Sequence, residues 1–287
     1  MRYPSAMTST PTRRVAVALG GACALAFAAG RAGAAPEEAA FGSDRRQRLD
    51  VYSRPGLAKA PVLMFVHGGG WSFGDKRGVN ALPGFAERHG WLLASAGYRL
   101  APQVDAGGCA EDVASAATWM LQNAARYGGD PKRFYLMGHS AGAQIVALVG
   151  IDPQYLGAHG LKPSDLAGVM ALDGAGYDAA AELDELKDHP MLRKMYERAF
   201  GARAAELSAT KLVKSGVAYP PFLILYTDRV SAERRSKELV GRLHAAGGQA
   251  ATYLAPGKTH MQINHDLGVE GDPEGERVVR FISTGAL

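Results

Sequence analysis

Long apolar runs alternate with helix-spaced apolar residues along this 287-residue chain. Pro61 to Val66, Trp91 to Ala96, residues 133–137, residues 168–172 and Phe222 to Tyr226 are apolar nearly throughout. Such runs predict strands covered on both faces of a parallel sheet. Arg48 to Tyr52 predicts an antiparallel edge strand, and residues 250–254 a further strand. Between Ala110 and Arg126 apolar residues recur at 110, 113, 114, 117, 120, 121 and 124. That spacing predicts an amphipathic helix, with Glu111 and Asp112 placed to favour its positive N-terminus. Helices are also expected after Ser140, over 231–246 and over 273–283. Residues 174–218 interrupt the alternation with charge and helix-forming stretches, predicting a small helical cap over the sheet's C-terminal edge. Residues 36–46 are polar and expected to be loosely ordered. The sum is an α/β chain with a doubly wound, mostly parallel sheet, a small helical cap insertion, and ligands at the C-terminal strand ends.

The first 34 residues follow a different logic. Arg13-Arg14 precede an apolar stretch from Val15 to Ala29, followed by Arg31 and the small-residue run Ala32-Gly33-Ala34-Ala35-Pro36. A basic start, a short apolar core and an A-x-A-like site predict an export signal over 1–34, hence a periplasmic or secreted protein. The paired arginines suggest a twin-arginine route. The apolar stretch is too short and too rich in Gly and Ala for stable membrane insertion. Cys23, considered as a lipoprotein cysteine, has Gly20 where a leucine is expected. The four arginines of this segment account for the whole formal net charge of +4. What remains, residues 35–287, predicts a single near-neutral domain with one large core. No basic patch argues for nucleic acid. Cys109 is then left without an intrachain disulfide partner.

Two glycine-rich turns follow buried strands. Gly138-His139-Ser140-Ala141-Gly142 lies between the run at 134–137 and another at 145–149. That order, strand, sharp turn, helix, exposes a serine hydroxyl at a helix N-terminus. His67-Gly68-Gly69-Gly70-Trp71 follows the strand at 61–66. Consecutive glycines let backbone N–H groups face a carbonyl oxygen on which negative charge develops. Gly69 and Gly70 would supply two such donors and Ala141 a third. A serine hydroxyl also needs a base, and the base an orienting acid. Asp228 follows the strand 222–226, and His260 follows the strand 250–254. Asp173, which also ends a strand, is the alternative acid, and His265 the rival base. Tyr98 and Arg99 are expected to brace loops. Trp71 and Tyr177 are candidates for lining a substrate pocket, though packing within the core would suit both. No pair of histidines has metal-ligand spacing, so neither metal nor cofactor is expected.

These motifs, with Gly74-Asp75-Lys76, Tyr98-Arg99-Leu100, Gly128-Gly129-Asp130-Pro131, His260 to Asn264 and Gly271-Asp272-Pro273, resemble those of α/β-hydrolase esterases. They are most similar to the branch of bacterial feruloyl-esterase-like enzymes and kynurenine formamidase relatives. The resemblance runs from about residue 48 to the end. It implies the α/β-hydrolase fold, with Ser140 as nucleophile, His260 as base, Asp228 as acid, and Gly69, Gly70 and Ala141 as oxyanion donors. It also implies a small carboxylic ester as substrate, with an N-formyl aromatic amine such as N-formylkynurenine as the alternative. One departure stands out: a glycine usually shortly precedes the acid, whereas Tyr226-Thr227 stand here.

Overall fold

A computed structural model describes residues 35–287, and the export segment expected over 1–34 lies outside the described residues. The strands are β1 (Glu37–Ala40), β2 (Arg48–Tyr52), β3 (Ala60–Val66), β4 (Leu92–Ala96), β5 (Gly129–His139), β6 (Gly168–Leu172), β7 (Phe222–Tyr226) and β8 (Ala250–Leu254). The first five helices are α1 (Leu82–His89), α2 (Ala106–Asn123), α3 (Ala141–Ile151), α4 (Pro153–Gly157) and α5 (Ala179–Glu185). They are followed by α6 (Pro190–Phe200), α7 (Ala209–Leu212), α8 (Ala232–Ala245), α9 (Gln262–His265) and α10 (Pro273–Thr284). The sheet order is β1-β2-β4-β3-β5-β6-β7-β8. Pairing is antiparallel for β1–β2 and β2–β4 and parallel from β4 to β8.

The period-2 alternation of the central strands divides their side chains between two helical layers. Val62, Met64 and Val66 of β3 pack with Val113 of α2, Ile145 of α3 and Leu239 of α8. Leu63 and Phe65 pack on the other face with Phe85 of α1 and Phe281 of α10. Both faces are therefore dry, which is why these strands read as unbroken apolar runs. Helix α3 is buried at every residue. An all-round apolar helix of this kind belongs at the centre of a core.

Three local expectations change. Residues 36–46 are not loose throughout: Glu37–Ala40 form β1, which displaces β2 from the edge. Strand β1 buries little, so hydrophobic patterning carries no trace of it. It is held by ladder hydrogen bonds and by Glu37, which accepts from Arg126 at 2.7 Å and Tyr127 at 2.8 Å. Its exposed charges suit a sheet edge that must not recruit another strand. Helix α2 begins at Ala106 instead of 110, because Asp105 caps it by accepting from the Gly108 N–H at 2.9 Å. Strand β5 starts at Gly129, four residues before the apolar run. Between β6 and β7 the chain forms α5, α6 and α7. Among the described residues no helix is long and apolar enough to cross a membrane.

Candidate active site

Ser140 sits between β5 and α3 with φ 56° and ψ −119°. A non-glycine residue with positive φ is held there by its surroundings, at a cost of about 1–3 kcal/mol. The restraints are visible. The Ser140 N–H donates to the Leu172 carbonyl at 2.9 Å. Gly142 passes so close to β3 that a Cβ there would lie 2.2 Å from the Val66 carbonyl oxygen. Only glycine fits, and the serine is left at the apex with its hydroxyl outward.

The His260 Nε2 lies 2.9 Å from Ser140 Oγ, and its Nδ1 lies 2.6 Å from Asp173 Oδ2. With Nδ1–H donating to the carboxylate, Nε2 is left to accept from the serine hydroxyl. The acid expected at Asp228 is thus corrected: the carboxylate at the imidazole belongs to Asp173, at the end of β6. Asp173 is fully buried with φ 44°. Its Oδ1 accepts from the Thr227 N–H at 3.0 Å, and its Oδ2 from Thr227 Oγ1 at 2.9 Å and Arg229 Nε at 2.7 Å. Burial alone favours the neutral acid. The hydrogen bonds from His260 and Arg229 and the guanidinium charge outweigh burial and hold the carboxyl well below the usual range.

The physical reason for the exchange lies in the short turn after β7. Thr227 and Arg229, the neighbours of Asp228, both reach back to Asp173. Asp228 between them is exposed, and among the described residues its carboxylate accepts only from the Gly257 N–H at 3.2 Å. The glycine missing before Asp228 was the available signal in the sequence.

His139 is closer to the reaction centre than its place in the turn suggests. Its ring centroid is 4.7 Å from that of His260, and its Nε2–H donates to the His260 carbonyl at 2.8 Å. Burial, and then the nearby imidazole of His260, pushes its titration down to about 4, so the ring is neutral. It fastens the His260 loop to the serine turn. Lys258 fastens the same loop from the other side by pairing with Asp272 and, at 2.8 Å, Glu274 at the start of α10.

The glycine turn after β3 faces the serine. Gly69 and Gly70 have φ of 121° and 56°, and no hydrogen bond to a protein acceptor is seen for their N–H groups or that of Ala141 among the described residues. Beneath the turn, His67 stacks on Tyr98 with centroids 4.3 Å apart, and burial lowers its titration to about 4. Tyr98 Oη donates to the His67 carbonyl at 2.8 Å, and Arg99 binds Asp112 through Nε at 2.9 Å and Nη2 at 2.6 Å. These two residues brace loops as expected.

A cavity of about 450 Å³ opens over Ser140. Trp71, Ala175, Met195 and Met261 provide its apolar lining, and Asp75, Asn80, Asn264 and His265 a polar side. His265 is exposed at this wall and does not reach the serine as a base. Trp71 contributes to the lining but is 1% exposed, with Nε1 donating to Gln144 at 2.9 Å and its ring edge-on to Tyr196 and Phe200 of α6. It supports the cavity from below. The expectation for Tyr177 is corrected: it is 1% exposed and outside the cavity, because its hydroxyl is packed against Gly174. Met195, one of the apolar residues of the 174–218 segment that could wall a pocket, does line it. Its Sδ would be 2.1 Å from a Cβ on Gly70, so α6 lays a thioether directly over the glycine turn. Helix α6 is anchored by Tyr196, whose hydroxyl donates at 2.6 Å to buried Glu182, itself paired with Arg235 of α8 at 3.0 Å.

The model of the alpha/beta hydrolase fold matches residues 63–264, which include both glycine turns, Asp173 and His260. The chain belongs to the alpha/beta hydrolase family. Within it, the chain is 33% identical over 243 residues to a probable isoprenylcysteine alpha-carbonyl methylesterase of Oryza sativa subsp. japonica, covering 78% of this chain and 56% of that one. It is 30% identical over 256 residues to the esterase LipQ of Mycobacterium tuberculosis, covering 83% and 59%. The chain spans little more than half the length of these curated relatives. Among solved structures, an inhibited esterase B from Lactobacillus rhamnosis matches this chain with TM-score 0.72 at 21% identity, covering 90% of this chain and 91% of that one. That likeness shows the shared fold.

Proposed function

We propose that this hydrolase cleaves small carboxylic esters through a covalent acyl-enzyme, with Ser140 as nucleophile, His260 as base and Asp173 as the acid. The observation that carries the proposal is the unbroken hydrogen-bond chain Ser140–His260–Asp173, with separations of 2.9 and 2.6 Å. His260 Nε2 takes the hydroxyl proton as Ser140 Oγ attacks the carbonyl carbon. The N–H groups of Gly69, Gly70 and Ala141 receive the oxyanion. His260 then returns the proton to the departing alcohol, and water releases the acyl group by the same route. Asp173 keeps the proton on Nδ1 and stabilises the imidazolium. The esterase names of the curated relatives support an ester over a formamide. A fluorophosphonate probe should label Ser140 stoichiometrically, and p-nitrophenyl acetate should turn over faster than an aryl formamide. An unlabelled, folded protein, or faster turnover of the formamide, would reject the ester reading.

The apolar lining sets the acyl side. Met195 over Gly70 limits the room beside the oxyanion donors. Met195→Ala should raise kcat/KM for hexanoyl or octanoyl p-nitrophenyl esters relative to acetyl by about tenfold, since each added methylene that finds apolar surface is worth about 0.8 kcal/mol. An unchanged chain-length profile would remove Met195 from the acyl site.

A further inference from the structure

The most heavily bonded group near the serine is the Asp173 carboxylate. Its Oδ2 carries three donors, His260 Nδ1 at 2.6 Å, Arg229 Nε at 2.7 Å and Thr227 Oγ1 at 2.9 Å. Arg229 also grips the backbone, its Nη2 donating to the carbonyls of Asp173 at 3.0 Å and Gly174 at 3.2 Å. The guanidinium fork therefore holds both ends of a residue whose φ is 44°. Glycine-free backbone in that region persists only where such contacts over-determine it.

We infer that Arg229 is a positioning residue for the Asp173–His260 pair, holding the carboxylate at the imidazole and offsetting part of its charge so that hydrolysis extends to lower pH. The inference rests on the Ser140–His260–Asp173 reading above. The groups facing Asp173 come from four places. The serine turn brings His139, whose burial keeps it neutral above about pH 4. The segment after β6 brings Tyr177, held neutral because burial pushes its hydroxyl up. The loop after β8 brings His260, and the loop after β7 brings Thr227 and Arg229. Asp228, on that same loop, is exposed and turned toward Gly257. Among the described residues Arg229 is thus the permanent cation in contact with Asp173.

The electrostatic consequence has a definite sign. A buried carboxylate with the imidazole as its sole charged partner would stabilise the imidazolium with its full charge, so the base would be lost to protonation at higher pH. A guanidinium on the same oxygen draws part of that charge to itself. The base form then survives further into acid. Asp173 itself stays ionised across the assay range, so the acid limb of the rate profile is not its own titration. Arg229 is one-third exposed, and solvent screens part of its field. The expected displacement is therefore about half to one pH unit, equivalent to about a three- to tenfold change in rate on the acid limb.

The experiment compares kcat/KM against pH for p-nitrophenyl acetate in the wild type, R229K, R229Q and R229L. The two neutral variants guard against one being insoluble. Both should lower kcat, leave KM within about twofold because Arg229 lies outside the cavity, and move the acid limb upward by about half to one unit. R229K keeps the charge without the fork, so its kcat should fall while its acid limb stays near that of the wild type. Limbs that coincide in all four proteins, or that move as far in R229K as in R229Q, would overturn the electrostatic role and leave a mere brace. Fluorophosphonate labelling of wild-type Ser140 is the internal control. Its absence would defeat the serine mechanism itself, whereas labelling with coincident limbs defeats this inference alone.

Discussion

Asp173→Asn should lower kcat on a short p-nitrophenyl ester by about four orders of magnitude, whereas Asp228→Asn should leave it within about twofold. The size follows from the tautomer that the acid imposes on the base. Ionised Asp173 can only accept, so the imidazole proton sits on Nδ1 and Nε2 is free to take the Ser140 proton. An asparagine there can present its NH₂ to the ring. The proton then moves to Nε2, which can no longer act as a base. Asparagine matches the aspartate in shape but leaves Arg229 without its anionic partner. Breaking a buried ion pair costs about 3–5 kcal/mol, and the partial exposure of Arg229 places this one toward the lower end. The thermal midpoint must accordingly be measured alongside the rate. Asp228 is exposed, and asparagine there keeps an oxygen that can accept from the Gly257 N–H while removing only a solvated charge. If the Asp228 variant were the inactive one and the Asp173 variant retained full turnover, the assignment of the acid made from this geometry would be wrong.

Ser140→Ala should remove activity by about a millionfold in kcat, down to what binding and the oxyanion donors provide without a nucleophile. The fold should survive the change. Alanine at φ 56° carries about the same backbone strain as serine, and the N–H bond to Leu172 is retained. The variant should melt within a few degrees of the wild type and should still bind a substrate analogue. Turnover above about one-thousandth of the wild-type rate, in a preparation free of wild-type enzyme, would move the nucleophile elsewhere. The two substitutions are not independent. The serine, histidine and aspartate act as one unit, so the double variant Ser140→Ala with Asp173→Asn should be no slower than the serine variant alone.

What the amino-acid sequence determined follows from local rules. Two-faced burial makes β3, β4, β6, β7 and the second half of β5 nearly continuous apolar runs, and the 3.6-residue period marks α2, so the layered fold was legible. The serine turn was legible because the close passage of Gly142 past Val66 leaves no room for a side chain, and such a constraint is written directly into sequence. Ser140, His260, Gly69, Gly70 and Ala141 can be singled out as candidates in the sequence because each follows a strand or occupies a glycine-rich turn. Strand β1 was missed, since its stability comes from ladder pairing and edge charges, which leave no hydrophobic period. Met195 and Tyr177 both lie in a segment whose apolar residues could wall a pocket, and only the way α6 lies across the strand ends decides that Met195 does so over Gly70 while Tyr177 packs outside the cavity. The choice between Asp173 and Asp228 also belonged to tertiary structure. Both acids end strands, and the only local hint separating them is the glycine missing before Asp228. The direction of one short turn decides, by sending Thr227 and Arg229 inward to Asp173 and leaving Asp228 in solvent.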